Sequence, residues 1–142
     1  MGNKKNSTTN NTLEKFWLKT IYKEPIIHIK KLEGGVSSDV YKVQTNSKTY
    51  CIKRSLPKLR VMKDWFADTK RLKYEYLWLK HCKKIIPNSI PNIYQFSAKQ
   101  DFLILEYLSE KNYTTLKLKL LKKDIDINVI NKISKNLFKI HK

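Results

Sequence analysis

Two stretches decide the fold: Leu32-Glu33-Gly34-Gly35-Val36-Ser37-Ser38-Asp39-Val40-Tyr41-Lys42-Val43, and close behind it Thr49-Tyr50-Cys51-Ile52-Lys53. Together they read as strand, Gly/Ser turn, strand, short turn, strand, with a lysine on the third strand. Asn46-Ser47-Lys48 between the last two has the length of a tight hairpin connection. Two of the chain's three glycines sit side by side in the first turn. A Gly-rich turn lets backbone N–H groups come close to an anion, and a lysine on a neighbouring strand can neutralise it.

Outward from this core, the first three strands are expected over 26–32, 39–45 and 49–55. Residues 56–68 form an irregular connection with Pro57 and the pair Trp65-Phe66. An amphipathic helix follows over 69–84, with Leu72, Tyr76, Leu79 and Lys83 near one face and Glu75, Trp78 and Cys82 beside it. Pro87 and Pro91 bracket a loop. Strands over 92–97 and 101–106 flank the turn Ala98-Lys99-Gln100, and 106–112 is extended. Two further helices are expected, over 114–123 and from about 128 to 141. In the second, Val129, Ile133, Leu137 and Ile140 recur at helical spacing. Upstream, the polar residues 1–11 are expected to be disordered, and Thr12 to cap a short helix reaching Tyr22. Five antiparallel strands with one helix inserted after the third make an α+β fold.

At 142 residues the chain is long enough for one domain with a real core. No apolar run is long enough to span a bilayer, and the N-terminus lacks the apolar segment of a signal peptide. Cys51 and Cys82 stand alone and read as reduced thiols in a cytoplasmic protein. His28, His81 and His141 have no ligand spacing, so no metal site is expected. The formal charge of +18 invites a nucleic-acid reading. Yet 27 of the 30 basic residues are lysine, and only Arg54, Arg60 and Arg71 are arginine. Base readout and bidentate phosphate contacts favour arginine. The lysines read as a solvated surface, with neither a specific nucleic-acid partner nor a membrane.

Each candidate residue has a plain alternative. Gly34 and Gly35 could serve only a hairpin, although Ser37 and Ser38 add hydroxyls suited to phosphate oxygens. Lys53 could be one more surface lysine. On a strand, however, it shares a face with Thr49 and Cys51, while Tyr50 and Ile52 point the other way. If that face lines a nucleotide cleft, Cys51 lies against adenine and Lys53 reaches the phosphates. Glu75 could pair with Arg71 or Lys80; its other partner is Lys53, across the sheet–helix interface. Glu106 could simply end an apolar strand, Phe102-Leu103-Ile104-Leu105. The alternative is that the Glu106 carbonyl and the Leu108 N–H meet the edge of adenine.

Taken together, LEGGVSSDVYKV (32–43), YCIKR (50–54), Glu75 within RLKYEYLWL and LILEYL (103–108) resemble the aminoglycoside phosphotransferase and choline kinase-like family of small-molecule kinases. The 13-residue step from Val40 to Lys53 matches the spacing of its nucleotide clamp. The resemblance covers roughly residues 13 to 142. It implies a protein-kinase-like N-lobe over 12–108, then a hinge and the start of a truncated helical C-lobe over 109–142. It also implies ATP and Mg²⁺ as cofactors, and transfer of the γ-phosphate to a hydroxyl of an aminoglycoside, choline or sugar-like acceptor. Carried over residue by residue, Ser37 and the Gly34-Gly35 backbone hold phosphate, Val40 and Cys51 contact adenine, and Lys53 with Glu75 holds the α/β-phosphates. The family's His-Gly-Asp segment, its downstream Asn and its later magnesium-binding Asp have no counterpart here. No catalytic residue is therefore assigned, the Mg²⁺ ligands are expected in the missing C-lobe, and the chain alone is expected not to transfer phosphate. The alternative from another class is a non-catalytic basic module for nucleic acid or a membrane surface.

Overall fold

The computed structural model describes residues 24–33 and 35–142. The tail expected over 1–11, the helix expected over 12–22 and Gly34 lie outside them. Five strands form one antiparallel sheet in the order β1-β2-β3-β5-β4. They are β1 (His28–Leu32), β2 (Ser38–Gln44), β3 (Thr49–Ser55), β4 (Ile93–Ser97) and β5 (Phe102–Glu106). A single long helix, α1 (Arg71–Ile85), separates β3 from β4; α2 (Leu116–Leu121) and α3 (Ile127–His141) follow the sheet. The fold is α+β, with the strand and helix order expected from the sequence.

Alternation along the strands builds two apolar layers. Tyr41, Val43, Tyr50, Ile52, Phe102 and Ile104 are buried together on one face. Leu103 and Leu105 point to the other face, where they pack with Leu72 of α1, bordered by Cys51, Tyr76, Leu79 and Phe96. β5 is buried over Phe102 to Leu105 because both of its faces are covered, which is why it reads as an unbroken apolar run. Tyr76 stacks on Phe96 with ring centroids 4.8 Å apart, which helps fix α1 across the sheet.

The β2–β3 turn closes through local polar bonds. The Thr45 N–H donates to the Lys48 carbonyl at 2.9 Å, and the Glu24 carboxylate accepts from the Ser47 N–H and hydroxyl, both at 2.8 Å. Asp126 caps α3, its Oδ1 accepting from the Asn128 N–H at 2.8 Å. Thr115 caps α2, its Oγ1 accepting from the Leu118 N–H at 3.3 Å.

Three departures have local causes. α1 begins at Arg71 rather than at residue 69, because Asp68 draws the Lys70 N–H into a turn with a 2.9 Å bond. The extension after β5 ends at Ser109, whose carbonyl accepts from the Asn112 and Tyr113 N–H groups, both at 2.9 Å. Trp78 does not join the sheet-facing side of α1; it is exposed and lies beside the His81 and His141 rings. The 56–68 connection is more ordered than its composition suggested. It folds back through a bridge between Lys58 and Phe66, with the Leu59 N–H donating to the Trp65 carbonyl at 2.9 Å.

No helix among the described residues is long and apolar enough to cross a membrane. Exposed apolar side chains gather on the last two helices, at Leu118 and Leu121 of α2 and at Leu137 and Phe138 of α3.

Candidate nucleotide-phosphate site

Strand register sets the site. Val40, Lys53 and Leu103 are neighbours in one row across β2, β3 and β5; Lys42, Cys51 and Leu105 form another row two residues along. Residues two apart share a face, so Val40, Cys51 and Lys53 share the face on which α1 packs. Tyr41, Ile52 and Ile104 form the intervening row and point into the opposite layer.

Leu72 and Leu79 seat α1 on this face, and that seating brings Glu75 over β3. Lys53 Nζ and Glu75 Oε1 form a direct ion pair. Neither side chain is sealed off: Lys53 is 25% exposed and Glu75 35%. Glu75 thus pairs with Lys53, not with Arg71 or Lys80. Beside them, burial pushes the Cys51 thiol above its ordinary value. The Lys53 charge opposes that shift and the Glu75 charge adds to it. A neutral thiol suits the apolar neighbours that Cys51 keeps.

The Gly/Ser turn stands at the end of the same sheet. A Cβ on Gly35 would lie 2.5 Å from the Ser38 carbonyl oxygen, so the turn closes too tightly for any other residue there. Ser37 is half-buried, and Ser38 is buried at the start of β2. A cavity of about 410 Å³ lies at the turn, lined by Lys31, Leu32, Glu33, Gly35, Val36 and Arg60.

At the other end of β5, the Glu106 side chain is already engaged: Oε2 accepts from the Asn92 N–H at 2.9 Å, and the Glu106 N–H donates to the Asn92 carbonyl at 2.8 Å. Leu108 is exposed two residues beyond the strand. Lys42 Nζ stands 4.9 Å from the centre of the Tyr107 ring, a cation–π contact on the Cys51 side of the sheet.

Sequence reasoning missed Asp39, Arg60 and Arg71. The buried Asp39 carboxylate takes Lys31 Nζ at 2.7 Å and also pairs with Arg60. Burial alone would raise its pKa; the bonds from Lys31 and Arg60 outweigh that and hold it below the usual carboxylate value. Arg60 and Arg71 both bond carbonyls of the Gly/Ser turn. Their scarcity was the available signal. In a chain so rich in lysine, an arginine marks a place where a planar, multidentate donor is needed.

A second cavity, about 590 Å³, opens between α1 and β4 and is lined by Tyr76, Lys80, Lys83, Asn92 and Tyr94, away from the Lys53–Glu75 pair. Among the described residues no group of three or more His, Cys, Asp or Glu side chains is placed to hold a metal ion.

No known family model and no curated protein matches the chain. Among solved structures, it is similar to a protein from Thermobifida fusca provisionally assigned as a fructosamine-3-kinase, with 14% sequence identity and a TM-score of 0.47. The likeness covers 77% of this chain and 33% of that one, so this chain spans about a third of the neighbour's length.

Proposed function

We propose that this chain forms the nucleotide-binding lobe of an ATP-dependent small-molecule kinase. The observation that carries the reading is the Lys53–Glu75 ion pair, formed between β3 and α1, the long helix between β3 and β4. An acidic partner holds a strand lysine extended toward the α/β-phosphates, and so lowers the cost of ordering it on binding. The tight Gly35 turn at the end of the same sheet supplies the complementary backbone donors.

In this reading Lys53 binds the α/β-phosphates and Glu75 orients it. Gly34, Gly35, Ser37 and Ser38 form the phosphate turn, with the Ser38 contribution limited to its backbone because its side chain is buried. Val40 and Cys51 contact the adenine face. The Glu106 carbonyl and the Leu108 N–H meet its edge. The lobe covers 12–108, and 109–142 leads into the acceptor-binding half. The acceptor is a small molecule with a free hydroxyl. Mg²⁺ finds no cluster of three or more His, Cys, Asp or Glu side chains among the described residues. In this reading the residues named here bind and orient the nucleotide.

Titrating the 142-residue chain with ATP, and separately with a single-stranded oligonucleotide across a salt series, tests the reading. Saturable ATP binding that outlasts the loss of oligonucleotide binding at high salt is expected. Equal, steeply salt-dependent binding of both polyanions would instead mark a basic module.

A further inference from the structure

Three consecutive carbonyls of the Gly/Ser turn are tied back to one segment, residues 56–71. The Gly35 carbonyl accepts from Arg60 Nη1 at 2.9 Å. The Val36 carbonyl accepts from the Arg60 backbone N–H at 2.9 Å, and the Ser37 carbonyl from the Leu56 N–H at 3.0 Å. Arg71 Nη2 adds a second donor to Ser37. A trans peptide unit is planar, with each N–H pointing opposite to the carbonyl before it. The N–H groups of Val36, Ser37 and Ser38 are therefore turned away from 56–71. Those of Val36 and Ser37 have no hydrogen-bond partner among the described residues. Successive N–H groups aimed to one side form an anion-binding concavity.

The two arginines are themselves held. Arg60 also pairs with the buried Asp39, which Lys31 braces from the other side. Arg71 Nη1 donates to the Asp68 carbonyl at 2.9 Å and the Ala67 carbonyl at 3.3 Å, while Nη2 also reaches the Leu56 carbonyl at 2.7 Å. Arg71 is the first residue of α1 and lies one helical turn before Glu75. A guanidinium can grip several fixed acceptors at once, where an ammonium cannot hold the same planar geometry.

From this arrangement we propose that Arg60 and Arg71 are positioning residues for the nucleotide phosphates. They hold the carbonyls of Gly35 to Ser37 back, so that the loop presents its N–H groups to the anion. Arg71 further joins that loop to α1, so the phosphate turn and the Lys53–Glu75 pair move as one unit. Neither arginine touches the ligand. The proposal rests on the nucleotide reading above and adds the device that preorganises it.

The test is calorimetric titration of the 142-residue chain with ATP and with adenosine, for wild type, Arg60→Ala, Arg60→Lys and Arg71→Ala, each checked for folding by thermal melting. Loss of about tenfold in ATP affinity, with adenosine affinity unchanged, is expected for the alanine variants. Arg60→Lys keeps a cation beside Asp39 and so guards against a misfolded variant; it should lose ATP affinity in the same selective way. Equal losses for ATP and adenosine, or no loss in any folded variant, would overturn the positioning role. Failure of the wild type to bind ATP would instead remove the nucleotide reading on which it rests.

Discussion

Lys53 Nζ and Glu75 Oε1 meet directly, joining the third strand to the middle of α1 across a site that solvent still reaches. Two residues that act through one ligand contact should not lose affinity additively. Lys53→Ala removes the phosphate contact; Glu75→Ala leaves the lysine unrestrained. In a double-mutant cycle for ATP affinity, Glu75→Ala is expected to weaken the wild type and to change Lys53→Ala little. Additive losses would mean that Glu75 does not act through Lys53.

Gly35 is the position where backbone geometry excludes a side chain. Gly35→Ala forces a Cβ against the Ser38 carbonyl oxygen, so the turn must open. Relieving such a contact costs about 1–3 kcal/mol. A lowered thermal midpoint together with weakened ATP binding is expected. A variant that melts and binds like wild type would show that the turn is less constrained than its close contact indicates.

How much of this was legible before the structure differs by element. The strands read correctly because Tyr41, Val43, Tyr50 and Ile52 alternate with period two, and that alternation is dictated by the buried layer they share. α1 read correctly because Leu72, Tyr76 and Leu79 recur at helical spacing. Lys53 and Glu75 could be named as a pair because strand alternation and helix periodicity each fix a face. The grip of Arg60 and Arg71 on the turn could not be read. It depends on how 56–68 folds back, through a bridge between Lys58 and Phe66 that no periodicity announces. The exposure of Trp78 was likewise hidden, since an aromatic residue next to an apolar stripe looks like part of it.

Leu103 stands fully buried between α1 and the sheet, in the same row as Lys53. Leu103→Ala leaves a cavity beneath the site and is expected to cost about 2–5 kcal/mol. Denaturant unfolding measures this directly. A loss below about 1 kcal/mol would mean that α1 closes down on the gap, with the Lys53–Glu75 pair displaced.

Asp39 makes stability depend on acid. Its folded-state pKa lies below the unfolded value, because the bonds from Lys31 and Arg60 outweigh burial. Its contribution is therefore fully present above the ordinary value of 3.8 and is lost as pH falls through the lower folded value. Wild type is expected to melt higher than Asp39→Asn at neutral pH, with the gap closing below about pH 4. A gap constant down to pH 2 would show that the carboxylate charge contributes nothing.

The most direct measurement is ATP binding by the 142-residue chain, comparing wild type with Lys53→Ala and with Lys48→Ala at the exposed β2–β3 turn. The expected result is a loss of about tenfold or more for Lys53→Ala and none for Lys48→Ala. Equal behaviour of the two variants would contradict a nucleotide site built on Lys53 and leave only a basic surface.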